Sequence, residues 1–304
     1  MVRGAVLMAV GVSGALLMLL WTFGAAQGPQ PAPAPAPPPR PAVLHQPGIV
    51  YARVGQDLQL DLAMPAEGSG PFPAIVCLHG GGWVAGERKQ MAQTIEVLAR
   101  NGYVAVAPDY RLAPQHRFPA QLEDCKAVVR WLRANATTYK IEPNRIGALG
   151  LAAGGHLACL LGVTHKDDLP EGKGGNPEQS SGVQAVVSVS GPTDLTQPVW
   201  SKVAVERNLL PLLGGTLEQV PDAYRAASPM TYATRGSPPF LFIHGVADRV
   251  VPPSQAQALS EKLRKAGGSA RVVLLEGEGQ TWRGEALHRA LTEMLTFFNE
   301  SLKK

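Results

Sequence analysis

The residues whose spacing could support chemistry begin with the pentapeptide Gly-Leu-Ala-Ala-Gly at positions 150–154. An apolar run at 145–149 precedes it and predicts a buried strand, and an apolar run at 156–163 follows it and predicts a helix. A strand, a sharp turn between two glycines and a helix form the nucleophile elbow G-x-S-x-G, whose middle residue attacks a carbonyl carbon. The middle residue here is Ala152, and a methyl group has neither a lone pair nor an acidic proton. The sequence therefore predicts an elbow without its nucleophile.

Three consecutive glycines follow an earlier apolar strand, within His-Gly-Gly-Gly-Trp at 79–83. Because these glycines have no side chains, the backbone N–H groups of such a turn can point at the oxygen that gains negative charge during acyl transfer. The second donor of this oxyanion hole is the N–H of the residue after the nucleophile position. That residue is Ala153, so we expect Ala153 to act with the glycine turn.

Two later loops stand where a hydrolytic triad places its acid and its base. Asp248 follows the penultimate predicted strand, where a carboxylate can orient an imidazole. The loop after the last strand should carry the imidazole, but it has Gln280. An amide has no basic nitrogen near neutral pH, so Gln280 cannot take a proton from a hydroxyl group. The acid position is filled, while the nucleophile and base positions are both replaced.

The elements that must position these residues alternate between strands and helices. Residues 49–54 and 58–62 predict an antiparallel hairpin. Further strands are predicted at 73–78, 103–107, 145–149, 183–189, 240–244 and 270–275, and helices at 88–100, 120–136, 156–163, 254–266 and 285–302. This order predicts an α/β fold with a doubly wound, mostly parallel sheet and an antiparallel N-terminal edge. Residues 191–236 hold only short helical pieces and predict a small lid insertion.

Composition argues against several classes of function. The net charge is +4, and the Lys and Arg residues are scattered without a basic run, which argues against a nucleic-acid-binding surface. The three cysteines, Cys77, Cys125 and Cys159, lack the spacing of a disulfide framework or a zinc site, so we expect buried free thiols. No metal-ligand cluster, phosphate loop or dinucleotide fingerprint is evident in the sequence, and we expect neither a metal nor a cofactor.

The first 43 residues indicate targeting rather than a folded domain. Residues 1–27 combine a positive charge, a long apolar run and small residues before Gln27, which is the pattern of a signal peptide. The apolar stretch at 4–23 is also nearly long enough to remain as an N-terminal membrane anchor. Either alternative predicts an exported protein, which is secreted, periplasmic or tethered to the membrane. The Pro- and Ala-rich residues 28–43 predict an extended linker, which leaves 44–304 as the globular domain.

Together these motifs resemble those of the α/β-hydrolase fold, in the hormone-sensitive-lipase-like and feruloyl-esterase-like (BD-FAE-type) branch of secreted esterases. The resemblance covers roughly residues 49–302 and rests on HGGGW at 79–83, DYRLAP at 109–114, FPAQLEDC at 118–125, GLAAGGHLA at 150–158 and HGVADRVVP at 244–252. It implies a carboxylic-ester hydrolase with a Ser nucleophile, an Asp and a His. Position by position, it gives Asp248 as the acid, Gly81, Gly82 and Ala153 as oxyanion-hole donors, and Ala152 and Gln280 as the replaced nucleophile and base.

Other residues near these motifs have simpler interpretations than catalysis. We expect hydrogen-bonding or packing roles for the side chains that could otherwise replace the missing groups: His79, His156, Ser188, Ser190, His244 and His288. Trp83, Trp200 and Trp282 could form walls of a ligand pocket, although packing in the core or lid is an equal alternative for each. The loss of two catalytic groups favours natural degeneration over a single engineered substitution.

Three hypotheses about function follow. The first is a noncatalytic or impaired relative of the esterases that keeps its pocket and binds a small ester, an acid or a saccharide. The second is a carboxylesterase that retains weak activity through a water molecule held by Asp248 or Gln280, without a serine nucleophile. The third is an interaction protein tethered at the cell envelope by residues 4–23.

Overall fold

The computed structural model of the chain describes residues 41–303. The predicted signal peptide or anchor at 1–27 and most of the predicted linker, residues 28–40, lie outside the described residues. The first strand begins at Val43, where the linker was predicted to end. Among residues 41–303, none of the helices has the length and hydrophobicity needed to cross a membrane.

Eight strands form one sheet in this part of the chain, in the spatial order β1-β2-β4-β3-β5-β6-β7-β8. They are β1 (Val43–Arg53), β2 (Asp57–Pro65), β3 (Phe72–Leu78), β4 (Val104–Pro108), β5 (Ile141–Leu151), β6 (Ala185–Val189), β7 (Phe240–Gly245) and β8 (Ala270–Leu275). The β1–β2 and β2–β4 pairs are antiparallel, and all the remaining pairs are parallel. The predicted parallel sheet with an antiparallel N-terminal edge is confirmed.

Helices cover both faces of the sheet and so bury its strands on both sides. The longer helices are α1 (Ala92–Arg100), α2 (Ala120–Ala134), α3 (Ala153–Val163), α7 (Ser254–Lys265) and α8 (Gly284–Leu302). α1 and α8 share a hydrophobic core with Leu149 of β5. The neighbouring residue, Ala148, belongs to the other core, together with α2, α3 and α7. Successive side chains of a strand point to opposite faces, so β5 contributes to both cores.

The predicted lid insertion is irregular and contains short helices. They are α4 (Lys202–Ala204), a π-helical turn (Val205–Leu209), α5 (Leu210–Leu213) and α6 (Pro221–Ala226). Several predicted boundaries are wrong. β1 begins at Val43 rather than 49, β5 begins at Ile141 rather than 145, and α3 begins at Ala153, three residues before the predicted start at His156. Glycines are poor helix formers, so Gly154 and Gly155 hid the first turn of α3 from sequence reasoning.

An ion cluster beneath the surface fixes the loop that leads to β6. The side chains of Lys126 and Arg130 on α2 are only 2% exposed, and their nitrogens lie 2.8 and 3.1 Å from the carboxylate oxygens of Glu171. Partial burial raises the pKa of Glu171, but hydrogen bonds from Lys126 and Ser181 and the charges of Lys126 and Arg130 outweigh it and lower the pKa. The loop is thus held to α2 by charges that are withdrawn from water.

Candidate active site

The predicted elbow lies at the junction of β5 and α3. Ala152 joins the two elements with φ 48° and ψ −114°, and its N–H donates a hydrogen bond to the carbonyl of Val189 on β6 at 2.8 Å. A non-glycine residue with positive φ is strained, and such strain is common at functional sites. The chain therefore keeps the strained turn that presents a nucleophile, although the residue presented is alanine.

The two flanking glycines of the elbow are required by close backbone packing. A Cβ on Gly150 would lie 2.0 Å from the carbonyl oxygen of Gly154. A Cβ on Gly154 would lie 2.2 Å from the carbonyl oxygen of Leu78 at the end of β3. Neither atom can move without moving the backbone, so only glycine fits at either position.

The glycine turn after β3 presents backbone donors beside the elbow. Gly81 and Gly82 have φ values of 118° and 62°, which glycine adopts at no steric cost. No hydrogen-bond acceptor in the described part of the chain pairs with their N–H groups. Ala153 is the first residue of α3, where helical N–H groups have no intrahelical partner. The three residues line one cavity with Ala152, so these donors could bind a carbonyl or carboxylate oxygen there.

The acid position keeps an ordered, buried carboxylate. Asp248 follows β7 and is 5% exposed. Its Oδ1 accepts hydrogen bonds from the N–H groups of Val250 and Val251 at 2.8 and 3.0 Å. Its Oδ2 lies 3.5 Å from Nε2 of His244, and within residues 41–303 it has no hydrogen-bond partner. Burial raises the pKa of Asp248, but the nearby His244 and the two N–H groups outweigh this effect and lower the pKa.

The loop of the replaced base packs against the loop of the acid. The N–H of Ala247 donates to the carbonyl of Glu278 at 2.8 Å. A Cβ on Gly245 would lie 2.1 Å from the carbonyl oxygen of Gly279, so the close approach of the two loops requires a glycine at the end of β7. This packing carries Gln280 to the rim of the cavity that Ala152 lines. The structure thus brings Ala152 and Gln280 to one cavity.

Two cavities share part of their lining at the elbow. The first, which we call the lid-side cavity, has a volume of about 260 Å³ and is bounded by the glycine turn and by lid residues that include Trp200 and Asn208. The second, which we call the helix-side cavity, has a volume of about 400 Å³ and lies between the sheet and α8. Ala152 and Gln280 line both cavities.

The lining of the lid-side cavity contains no group able to act as nucleophile or base. Within the described residues it consists of glycine, alanine, valine, leucine, proline, tryptophan, asparagine and glutamine side chains. Trp83 and Trp200 line this cavity, whereas Trp282 lines the helix-side cavity. Residues 41–303 contain no group of three or more His, Cys, Asp or Glu side chains arranged to hold a metal ion.

The other buried candidate side chains have structural partners, with one exception. His156 accepts a hydrogen bond from Nε1 of Trp83 at 3.2 Å and donates to the carbonyl of Ala227 at 2.6 Å, and burial lowers its pKa to about 4. His79 stacks on Tyr110. His288 is exposed on α8. The exception is Ser190.

Ser190 stands out in the structure although its sequence context does not single it out. It comes directly after β6 with φ 49° and is 1% exposed. Its hydroxyl has no hydrogen-bond partner within the described residues, and the residue lines the helix-side cavity beside Ala152. Ser188, two residues earlier, donates to the carbonyl of Gly155 at 3.2 Å. Because the two serines differ in their tertiary surroundings, no signal in the sequence separates them.

The family model and the similar proteins of known sequence agree on one family. The BD-FAE family model matches residues 60–263. The chain is 36% identical to the esterase LipC of Mycobacterium tuberculosis over 217 residues, which are 69% of this chain and 52% of LipC. It is 31% identical to LipM of the same organism, a probable carboxylic ester hydrolase, over 73% of this chain and 52% of LipM. The chain thus spans about half the length of these curated relatives.

Solved structures extend the similarity to the whole fold. A truncated carbohydrate esterase from gut microbiota superposes with a TM-score of 0.74 at 27% identity, over 87% of this chain and 98% of that one. The thermophilic esterase Est2 of Thermogutta terrifontis superposes with a TM-score of 0.71 at 29% identity, over 86% of this chain and 92% of that one.

Proposed function

The chain belongs to the BD-FAE family of α/β-hydrolases, and from this membership we propose that it binds a small carboxylic acid or ester without hydrolysing it through a serine. The observation that carries the proposal is the lining of the lid-side cavity. Within the described residues, that lining retains the oxyanion-type N–H donors but contains no nucleophilic or basic side chain. The cavity can therefore bind a carbonyl group but has no side chain to attack it.

The expected ligand follows from the groups that remain. The unpaired N–H groups of Gly81 and Gly82, together with that of Ala153 at the start of α3, favour an oxygen that carries negative or partial negative charge. The rest of the cavity is largely apolar, so we expect an acid or ester with a small hydrocarbon part. In support, structures of the Thermogutta terrifontis esterase contain propionate or butyrate.

Binding and hydrolysis can be tested separately on the full chain. We expect calorimetry to detect butyrate binding, and we expect neither turnover of p-nitrophenyl butyrate above a weak residual rate nor labelling by a fluorophosphonate. Ala204 lines the lid-side cavity, so Ala204→Trp should abolish binding. The matched control is Val203→Trp, because Val203 is 59% exposed and does not line the cavity. Absence of binding at millimolar butyrate, or equal effects of the two variants, would contradict the proposal.

A second candidate function is weak hydrolysis without a serine, which the retained Asp248 favours. Its unpartnered Oδ2 and the N–H donors could act on a bound water and a carbonyl oxygen. An oxyanion hole and binding alone leave roughly 10³–10⁴-fold acceleration over water. If the native chain turns over p-nitrophenyl butyrate, Asp248→Asn should lower the rate. An unchanged rate would exclude this mechanism.

We also propose that the chain is exported, from the signal-like pattern of residues 1–27. If the apolar stretch at 4–23 remains attached, the domain is tethered to the membrane by the Pro- and Ala-rich linker. Cell fractionation with mass spectrometry of the mature N-terminus distinguishes the alternatives. A cleaved product in the soluble exported fraction would exclude the tether, and a cytoplasmic product would contradict export altogether.

A further inference from the structure

The helix-side cavity is not explained by binding a small acid at the glycine turn. At about 400 Å³ it is larger than the lid-side cavity. No charged side chain lines it among the described residues, and ten of its fourteen lining residues are apolar. Leu149 and Ile243 contribute from the sheet, and Ala290 and Met294 contribute from α8. Such a lining suits a hydrocarbon chain, because burial of each methylene group is favourable by about 0.8 kcal/mol.

The two cavities meet where the triad side chains have been replaced. Ala152 and Gln280 line both of them. At position 152 the native side chain is a single methyl group, and at position 280 it is an unbranched amide. The unpartnered hydroxyl of Ser190 lies beside Ala152 and can donate a hydrogen bond to an oxygen at this junction. The junction therefore offers a polar contact between an apolar cavity and the N–H donors.

The geometry points to a single ligand that spans both cavities: an unbranched fatty acid or its ester, with its carboxyl group at the glycine turn and its aliphatic chain in the helix-side cavity. This inference rests on the proposed function, since it takes the carboxyl site from it and adds the chain. It also assigns a function to α8, whose apolar residues line the helix-side cavity. The helix-side cavity would select among carboxylic acids by the length of the aliphatic chain, since all of them share the carboxyl group.

The test is a series of straight-chain acids from butyrate to octanoate, titrated calorimetrically into the full chain. Each added methylene should tighten binding about fourfold, so octanoate should bind about two hundredfold more tightly than butyrate. Ala290→Phe fills the cavity from α8 and should return octanoate to the affinity of butyrate, with butyrate unchanged. Ala286→Phe is the matched control, because Ala286 lies on the same helix but does not line the cavity.

A second variant keeps the test valid if Ala290→Phe does not fold. Leu287 lines the cavity but is 43% exposed, so Leu287→Asp should fold and weaken octanoate through its charge. Leu44→Asp is its control, because Leu44 is 50% exposed on β1, at the opposite edge of the sheet. Equal affinities of butyrate and octanoate, or octanoate affinity that neither cavity variant changes, would overturn the chain assignment. Failure of every acid to bind would instead refute the proposed function.

Discussion

Introducing a serine at position 152 and a histidine at position 280 should convert this domain into a serine esterase. The change is the double variant Ala152→Ser, Gln280→His. Ala152 already has φ 48°, so a serine there adds one oxygen atom and no new backbone strain. Asp248 remains ionised and its Oδ2 is unpartnered, so it can accept a hydrogen bond from a new imidazole. The oxyanion donors are already present.

The size of the effect follows from how triad residues act. They work as a unit, and loss of the nucleophile or the base typically lowers kcat by about 10⁶, or about 8 kcal/mol of transition-state stabilisation. That value is the upper limit for the gain. We expect at least a hundredfold increase in kcat/KM for p-nitrophenyl butyrate, since the histidine must reach both neighbours from a loop that evolved with glutamine. Each single variant should remain near the native rate.

The assay combines initial rates with stoichiometric labelling by a fluorophosphonate. The double variant should be labelled at position 152, and adding Asp248→Asn should lower its rate by up to about 10⁴, as expected for an imidazole without its orienting carboxylate. A double variant whose melting temperature equals that of the native chain, but which stays inactive and unlabelled, would refute the reasoning. So would an Ala152→Ser variant as active as the double variant.

Three further predictions concern stability in urea. Gly154→Ala places a methyl carbon 2.2 Å from a backbone oxygen and should cost about 3 kcal/mol or more, whereas Gly279→Ala, with no atom within 4 Å of its Cβ, should change stability by less than about 0.5 kcal/mol. Glu171→Ala leaves two buried cations unpaired and should cost about 3 kcal/mol, whereas Glu261→Ala breaks an exposed pair and should cost under about 1 kcal/mol. Burial lowers the pKa of His156 to about 4. The neutral imidazole therefore contributes fully to the free energy of unfolding above about pH 6.5, and this contribution falls by about 3 kcal/mol as the pH drops to 4. His156→Gln should remove this part of the pH dependence of stability.

A specific result would contradict each of these predictions. Equal losses at the two glycines would show that the elbow tolerates a side chain. Equal losses at the two glutamates would show that burial of the ion cluster is unimportant. Parallel pH profiles of the native chain and the histidine variant would show that folding does not lower the pKa of His156.

The elbow and the strands could be predicted from the sequence because local packing restricts which residues fit there. The spacing of Gly150 and Gly154 predicted the elbow because two backbone contacts forbid any side chain there. Apolar runs predicted the strands because parallel strands are buried on both faces. Chain order predicted Asp248 after β7 and Gln280 after β8 at one edge of the sheet, since the carboxyl ends of parallel strands share that edge. The start of α3 was wrong because its first turn contains two glycines.

By itself, the sequence determined the fold and the presence of alanine at 152 and glutamine at 280, because residue type and order along strands are local properties. Only the tertiary structure decided that Ala152 and Gln280 border two cavities, that Asp248 keeps an unpartnered oxygen, and that Ser190 differs from Ser188. These features arise where side chains from β5, β6, the loop after β8 and α8 meet. Their separation along the chain is large, so no periodicity or motif encodes the space that remains between them.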